Sequence, residues 1–149
     1  MEIKQVTYDH EDFYHLCKKL DDAHIEIIAE QRYPNANCCI GNEKYTTIYI
    51  MYDHDQPIGS VALTDVKNGI IYIGRVFVDP KYRCQGIATK LLKTAELTAK
   101  QKGATQLHLD TYQRFHEAVC LYKKLGFEIV PQFEDIINSP YSLCMSKSL

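Results

Sequence analysis

The run RVFVD at residues 75–79 is followed by Pro80, the loop KYRCQG, and an amphipathic segment that opens at Ile87. A helix starting there leaves its first backbone N–H groups without intrahelical acceptors. Those donors, together with the helix dipole, favour an anion, and pyrophosphate is a common biological one. Gly86 lets a ligand approach the backbone with no Cβ in the way, while Lys81 and Arg83 add positive charge beside it. The loop contains neither the G-x-x-x-x-G-K-[ST] of a P-loop nor the G-x-G-x-x-G of a dinucleotide fold. A glycine before a helix also serves as a plain structural turn, so the turn by itself leaves both readings open.

Other side chains could take part in proton transfer. Tyr122 falls at helical spacing with Phe115 and Val119, which is the pattern of a core face. A phenol has an ordinary pKa of about 10, so it stays protonated at neutral pH and can donate. Asp110 ends a short strand beside Thr111, where a carboxylate can act as a base or cap the segment that follows. Cys84 has no histidine within the loop at a spacing that would activate it, and it reads as a spectator thiol. His116 and Cys120 stand one helical turn apart, but two ligands do not make a zinc site, and no metal is expected.

The elements that must position these groups are legible from periodicity. EIKQVTY reads as a first strand, and Phe13, Leu16, Cys17 and Leu20 follow at helical spacing behind Asp9, a candidate cap. DDAHIEIIAEQRY can supply a second helix before Pro34, Asn35 and Gly41 open a loop. YTTIYIMYD, PIGSVALTDV and NGIIYIGRVFV form an antiparallel meander, the last hairpin turning at Lys67-Asn68-Gly69. Ile87, Ala88, Leu91, Leu92, Ala95 and Ala99 trace the stripe of a crossover helix ending at Gly103, and TQLHLDT is the strand after it. Phe115, Ala118, Val119, Tyr122 and Leu125 mark a last helix before FEIVPQ and YSLCMSK, two closing strands. The expected order is β-α-α-β-β-β-α-β-α-β-β, an α/β (α+β) domain over residues 1–149 around a mixed sheet of about seven strands.

Two segments on these elements carry a family resemblance. RCQGIA, placed after VFVDPKY, resembles the Q/R-x-x-G-x-G/A signature of the GNAT superfamily of N-acetyltransferases, and AVCLYKKLGFE resembles that family's second hallmark. The likeness is strong over residues 58–130 and topological elsewhere; through LDT and the terminal CMSKSL it leans toward small-molecule members. It implies that acetyl-coenzyme A is the ligand on the turn. The backbone amides of Arg83, Cys84, Gln85, Gly86, Ile87, Ala88 and Thr89 would hold its pyrophosphate. The edge of Val76, Phe77 and Val78 would pair with the pantetheine arm like an added strand, and an amide there would polarise the thioester carbonyl. The fourth and fifth strands would splay apart to admit that arm. Tyr122 matches the family's general acid.

The chain also departs from the family pattern. Many relatives carry a glutamate early in the fourth strand, whereas here Tyr72 or Gly74 stands near that position, so the base is expected to be water relayed to Asp110, Tyr72 or Glu30, with Asp110 foremost. Relatives commonly have asparagine where this chain has Phe115, and Arg114 or His116 would have to supply the missing coenzyme contact. Glu26, Glu30, Tyr33 and Tyr72 are expected near the acceptor amine, although a solvated helix face would also explain the glutamates.

Composition limits the partners. Residues 1–74 hold 12 acidic and 6 basic side chains and residues 75–149 hold 7 and 11, within a net charge of −2. The overall charge argues against nonspecific nucleic-acid binding, and the acidic first half suits a cationic or polar amine. The first twenty residues lack the apolar core of a signal peptide and no run approaches a membrane span, so a soluble, cytoplasmic protein is expected, with its six cysteines reduced. YSLCMSK is a candidate homodimer interface, though a buried strand would look the same. The expected activity is acetyl transfer from acetyl-coenzyme A to a primary amine, of a small molecule in preference to a peptide or protein, by direct attack. The rivals are a catalytically silent acyl-coenzyme A sensor and an unrelated phosphate-binding domain.

Overall fold

The computed structural model describes residues 1–30, 42–133 and 142–149, with side chains through Ile25 in the first of these stretches. The elements among them are β1 (Glu2–Val6), α1 (Glu11–Glu30), β2 (Tyr45–Asp53), β3 (Gln56–Thr64), β4 (Ile70–Val78), α2 (Ile87–Gln101), β5 (Gln106–Tyr112), α3 (His116–Lys124), β6 (Glu128–Val130) and β7 (Ser142–Ser148). The strands make one seven-stranded sheet in the order β1-β2-β3-β4-β5-β7-β6. Each pairing is antiparallel except β4 with β5. That one parallel pair needs a crossover, which α2 supplies.

Side-chain alternation on the central strands feeds two cores, one on each face of the sheet. On one face Leu91, Leu92, Ala95 and Ala99 of α2 meet Ile71, Ile73, Leu107, Leu109 and Tyr122. On the other, Phe13, Leu16 and Cys17 of α1 meet Ile48, Ile50, Tyr52, Ala62 and Phe77. Residues from 11 to 30 form a single helix where the sequence suggests two segments. Asp21 and Asp22 are poor helix formers, but no glycine or proline interrupts the run, and packing of its apolar stripe carries the helix through them. Its start also differs from expectation: His10, not Asp9, caps it, the His10 Nδ1 accepting from the Asp12 N–H at 3.1 Å.

Phe115, expected within the last helix, sits just before it as the residue preceding His116. Strand β7 lies between β5 and β6, with β6 pairing only with Cys144, Met145 and Ser146 of it; the strands at the two borders of the sheet are β1 and β6. No helix among the described residues is long and apolar enough to cross a membrane.

Candidate active site at the parting of two strands

Strands β4 and β5 pair only over Ile70–Tyr72 and Gln106–His108. Beyond that point β4 stays bonded to β3 through Val78 and β5 stays bonded to β7 through Tyr112, but the two strands have left each other. A gap therefore opens in the middle of the sheet, and the edge of β4 from Ile73 to Val78 faces it with no ladder partner among the described residues. This is the splay expected from sequence, and it lays Val76, Phe77 and Val78 along the gap.

At the end of β4, Asp79 accepts from the Lys81 N–H at 3.0 Å and from Lys19 Nζ at 3.1 Å. These contacts, the backbone bond foremost, hold its carboxyl below the usual range and fix the turn of Pro80–Tyr82. Arg83 Nε donates to the Val78 carbonyl at 3.1 Å, tying the loop back onto the strand. Residues 83–86 are exposed, and helix α2 makes its first bond from the Lys90 N–H to the Gly86 carbonyl. The amides from Cys84 to Thr89 thus donate to no acceptor among the described residues, on a surface open to an anion. Gly86 caps the helix at φ 77°, and a Cβ built there would meet nothing within 4 Å. Backbone conformation rather than crowding demands glycine, and the space above it is free for a ligand. Cys84 is exposed, also left-handed at φ 61°.

The two proton-handling candidates sit on opposite faces of the gap. Tyr122 comes from α3 into the α2-side core, 6% exposed, with its ring edge-on to Phe127. Its hydroxyl makes no hydrogen bond to a described residue. Burial, and then the charge of Asp110, push its pKa well above that of a free phenol, so it remains a proton donor. Asp110 lies on the other face, opposite to its buried neighbour Leu109, and Tyr72 Oη donates to its Oδ1 at 3.0 Å. The Asp110 carboxyl has accessible surface yet lies deep enough in the cleft that desolvation raises its pKa, against the lowering effects of the Tyr72 bond and the Lys44 charge. Burial first, then Asp110, push the Tyr72 phenol up as well.

Aromatic rings flank Asp110 along β5. On one side His108 stacks on Phe133 at 4.3 Å, with Tyr72 edge-on to both. On the other, His24 of α1 stacks on Phe115 at 4.8 Å, with Tyr112 edge-on to both. Desolvation lowers both imidazoles and keeps them neutral at physiological pH. Phe115 therefore belongs to the wall on the Asp110 side, while Arg114 and His116 are exposed.

The structure brings Tyr72 to Asp110. Glu30 ends α1 with its side chain outside the described residues, and Tyr33 lies outside them altogether, as does the side chain of Glu26. Sequence reasoning missed Arg75, Asp21, Asn42 and Tyr45, which pack beneath the gap. Arg75 sits in a bulge of β4 at φ 53°, and its guanidinium meets both Asp21 and Asn42. Gly74 is where it is because the Tyr45 ring and hydroxyl occupy the place of its Cβ. A lone glycine amid β-branched residues was the available signal for that bulge. Two open surface hollows, of about 590 and 420 Å³, lie around Asp12 near the start of α1 and include none of the residues of the turn or the gap, nor Tyr72 or Tyr122. Among the described residues no group of three His, Cys, Asp or Glu side chains could hold a metal.

Comparison with known proteins places these features in a family. Residues 44–129 match the acetyltransferase (GNAT) domain. A thialysine N-epsilon-acetyltransferase of Bos taurus is 30% identical over 109 residues, covering 73% of this chain and 56% of its own length. The chain spans about half the length of such relatives. A Klebsiella pneumoniae crystal structure named for an acyl-CoA N-acyltransferase superposes with a TM-score of 0.82 at 25% identity, covering 99% of this chain and 97% of that one. A Bacillus anthracis structure named for a streptothricin acetyltransferase, solved with acetyl coenzyme A, matches at TM-score 0.62 and 29% identity over 70% of this chain and 63% of its own.

Proposed function

The chain belongs to the acetyltransferase (GNAT) domain family, and from that premise we propose that it moves an acetyl group from acetyl-coenzyme A to a primary amine of a small molecule, in the cytoplasm. The single observation that carries the reading is the gap between β4 and β5, with a buried phenol on one face and a carboxylate of raised pKa on the other. A coenzyme whose pyrophosphate rests on the amides of Arg83 to Thr89 and whose arm pairs with Val76–Val78 delivers its thioester into that gap. The relative named for thialysine acetylation and the structure holding acetyl coenzyme A support the acceptor class and the cosubstrate.

The chemistry follows from the two faces. The amine enters from the α1 side and loses its proton, directly or through water, to Asp110. Its lone pair attacks the thioester carbon, and an amide of β4 stabilises the oxyanion as the C–N bond forms. The C–S bond then breaks with its electron pair on sulfur, and Tyr122 supplies the proton that makes the free thiol. The second proton, which the nitrogen sheds as the neutral amide forms, balances through solvent the one the phenolate takes back. No covalent acyl-enzyme is needed, so both substrates are bound together. Tyr72 orients Asp110 through its hydrogen bond, and neutral aromatic walls flank the carboxylate on either side.

The departure at Phe115 and the missing strand glutamate favour a second reading, an acyl-coenzyme A sensor without turnover. A thiol-release assay with acetyl-coenzyme A against amines, amino acids, polyamines and peptides separates the two. Turnover with one acceptor class is expected. Tight coenzyme binding without turnover on any acceptor would leave the sensor standing.

A further inference from the structure

We propose that Arg75 is a positioning residue, whose side chain, clamped by Asp21 and Asn42, ties the bulge of β4 to helix α1 and thereby sets the direction of the Val76 amide at the gap, while Phe77, opposite Ser60, turns its amide to β3. The inference rests on the transferase reading above, in which an amide of β4 at the gap polarises the acyl carbonyl.

The register defines the bulge. Ser60 of β3 stands opposite Phe77 and Ala62 opposite Gly74, so two residues of β4, Arg75 and Val76, are matched by Val61 alone. Inserting one residue exchanges the amides that point toward β3 with those that point toward the gap. Side chains show the same exchange. Gly74 lies over Tyr45 on the α1 face, Arg75 also reaches α1, and alternation then resumes with Val76 on the α2 face and Phe77 on the α1 face. Removing the bulge would reverse every residue from Val76 onward.

An arginine at φ 53° is held there by its surroundings, not by preference. Three contacts hold it. Ser60 Oγ donates to the Arg75 carbonyl at 2.8 Å, Arg75 Nε donates to Asn42 Oδ1 at 2.9 Å, and Nη1 donates to Asp21 Oδ1 at 2.9 Å. The Arg75 and Asp21 side chains are 15% and 10% exposed, so the fork is held in a fixed geometry largely away from water. Asp21 is one helical turn before His24, which forms part of the aromatic wall beside Asp110 and feels the charges of both Asp21 and Arg75. One ion pair therefore fixes the coenzyme strand to the helix that walls the acceptor side.

The test compares the unaltered protein with Arg75→Gly, Arg75→Lys and Asp21→Asn, measuring coenzyme A affinity by calorimetry, the melting temperature, and kcat and KM by thiol release. Glycine accepts the left-handed backbone but abolishes the clamp. Arg75→Gly is expected to keep coenzyme affinity within about twofold while kcat falls about 10²-fold, the scale of a misdirected oxyanion donor. Arg75→Lys, able to pair with Asp21 but not to keep the Nε bond to Asn42, should restore part of kcat. Asp21→Asn carries the same expectation if the glycine variant does not fold. A kcat within twofold of the unaltered protein in Arg75→Gly or Asp21→Asn, whatever the melting temperature does, would overturn the clamp and leave the transferase reading intact. Absence of turnover in the unaltered protein on any amine would overturn both.

Discussion

Tyr72 of β4 donates to Asp110 of β5 at 3.0 Å, bridging two strands at the point where their backbone pairing has ended. The bond favours the charged carboxylate while desolvation opposes it, so the two residues together set how readily Asp110 takes a proton. The acid limb of a kcat/KM profile should report this carboxyl, above the pH at which an exposed aspartate titrates. Tyr72→Phe removes the bond that lowers the pKa, and the limb should move to higher pH with the alkaline side unchanged. A pH–rate series on both proteins checks the sign; a limb that stays put would remove Asp110 from the base role.

Asp110 should also carry a stability signature. Its folded pKa is raised above the unfolded value, so the folded state binds the proton more tightly and stability falls as pH rises from the unfolded pKa through the folded one. Asp110→Asn abolishes that loss. At neutral pH the variant should melt no lower than the unaltered protein while turnover drops about 10²–10⁴-fold. Calorimetry at two pH values beside the thiol-release assay tests the pair of outcomes, and parallel loss of stability and activity would mark Asp110 as structural.

Tyr122 presents a hydroxyl that is buried and makes no hydrogen bond to a described residue. Burying such a group without a partner costs stability, and removing it leaves the ring in place. Tyr122→Phe should therefore fold with an equal or higher melting temperature and bind coenzyme A as before. Its kcat should fall about 10²–10⁴-fold, the usual contribution of a positioned acid. A variant that retains turnover would mean that sulfur receives its proton from elsewhere.

Much of this arrangement was legible because local signals agreed with the global fold. The Asn68-Gly69 turn, the stripe from Ile87 to Ala99 and the glycine before Ile87 each specify their element without help from distant residues, and together they place the turn and the gap. What was not legible depends on contacts between residues far apart in sequence. Nothing local pairs Arg75 with Asp21, 54 positions away, or brings His24 of α1 onto Phe115. Periodicity assigned Phe115 to the helix core because apolar spacing does not reveal where a helix begins. The run from Asp21 onward read as a second helical segment, whereas packing of the apolar stripe carries one helix through it.

Gly74 offers a test of the packing beneath the gap. Its missing side chain leaves the space that the Tyr45 ring and hydroxyl fill, and burial raises the Tyr45 pKa to about 12. Gly74→Ala forces Tyr45 to shift, and overpacking of this kind costs about 1–3 kcal/mol. Tyr45→Ala empties the same space and should itself destabilise by about 3–5 kcal/mol, the scale for truncating a buried aromatic. The double variant should be less destabilised than the sum, because the added methyl then meets no ring; residues in contact couple by about 0.5–3 kcal/mol. Urea unfolding of the four proteins measures the coupling. Strict additivity would mean that Gly74 serves the backbone of β4 alone, independently of the tyrosine beneath it.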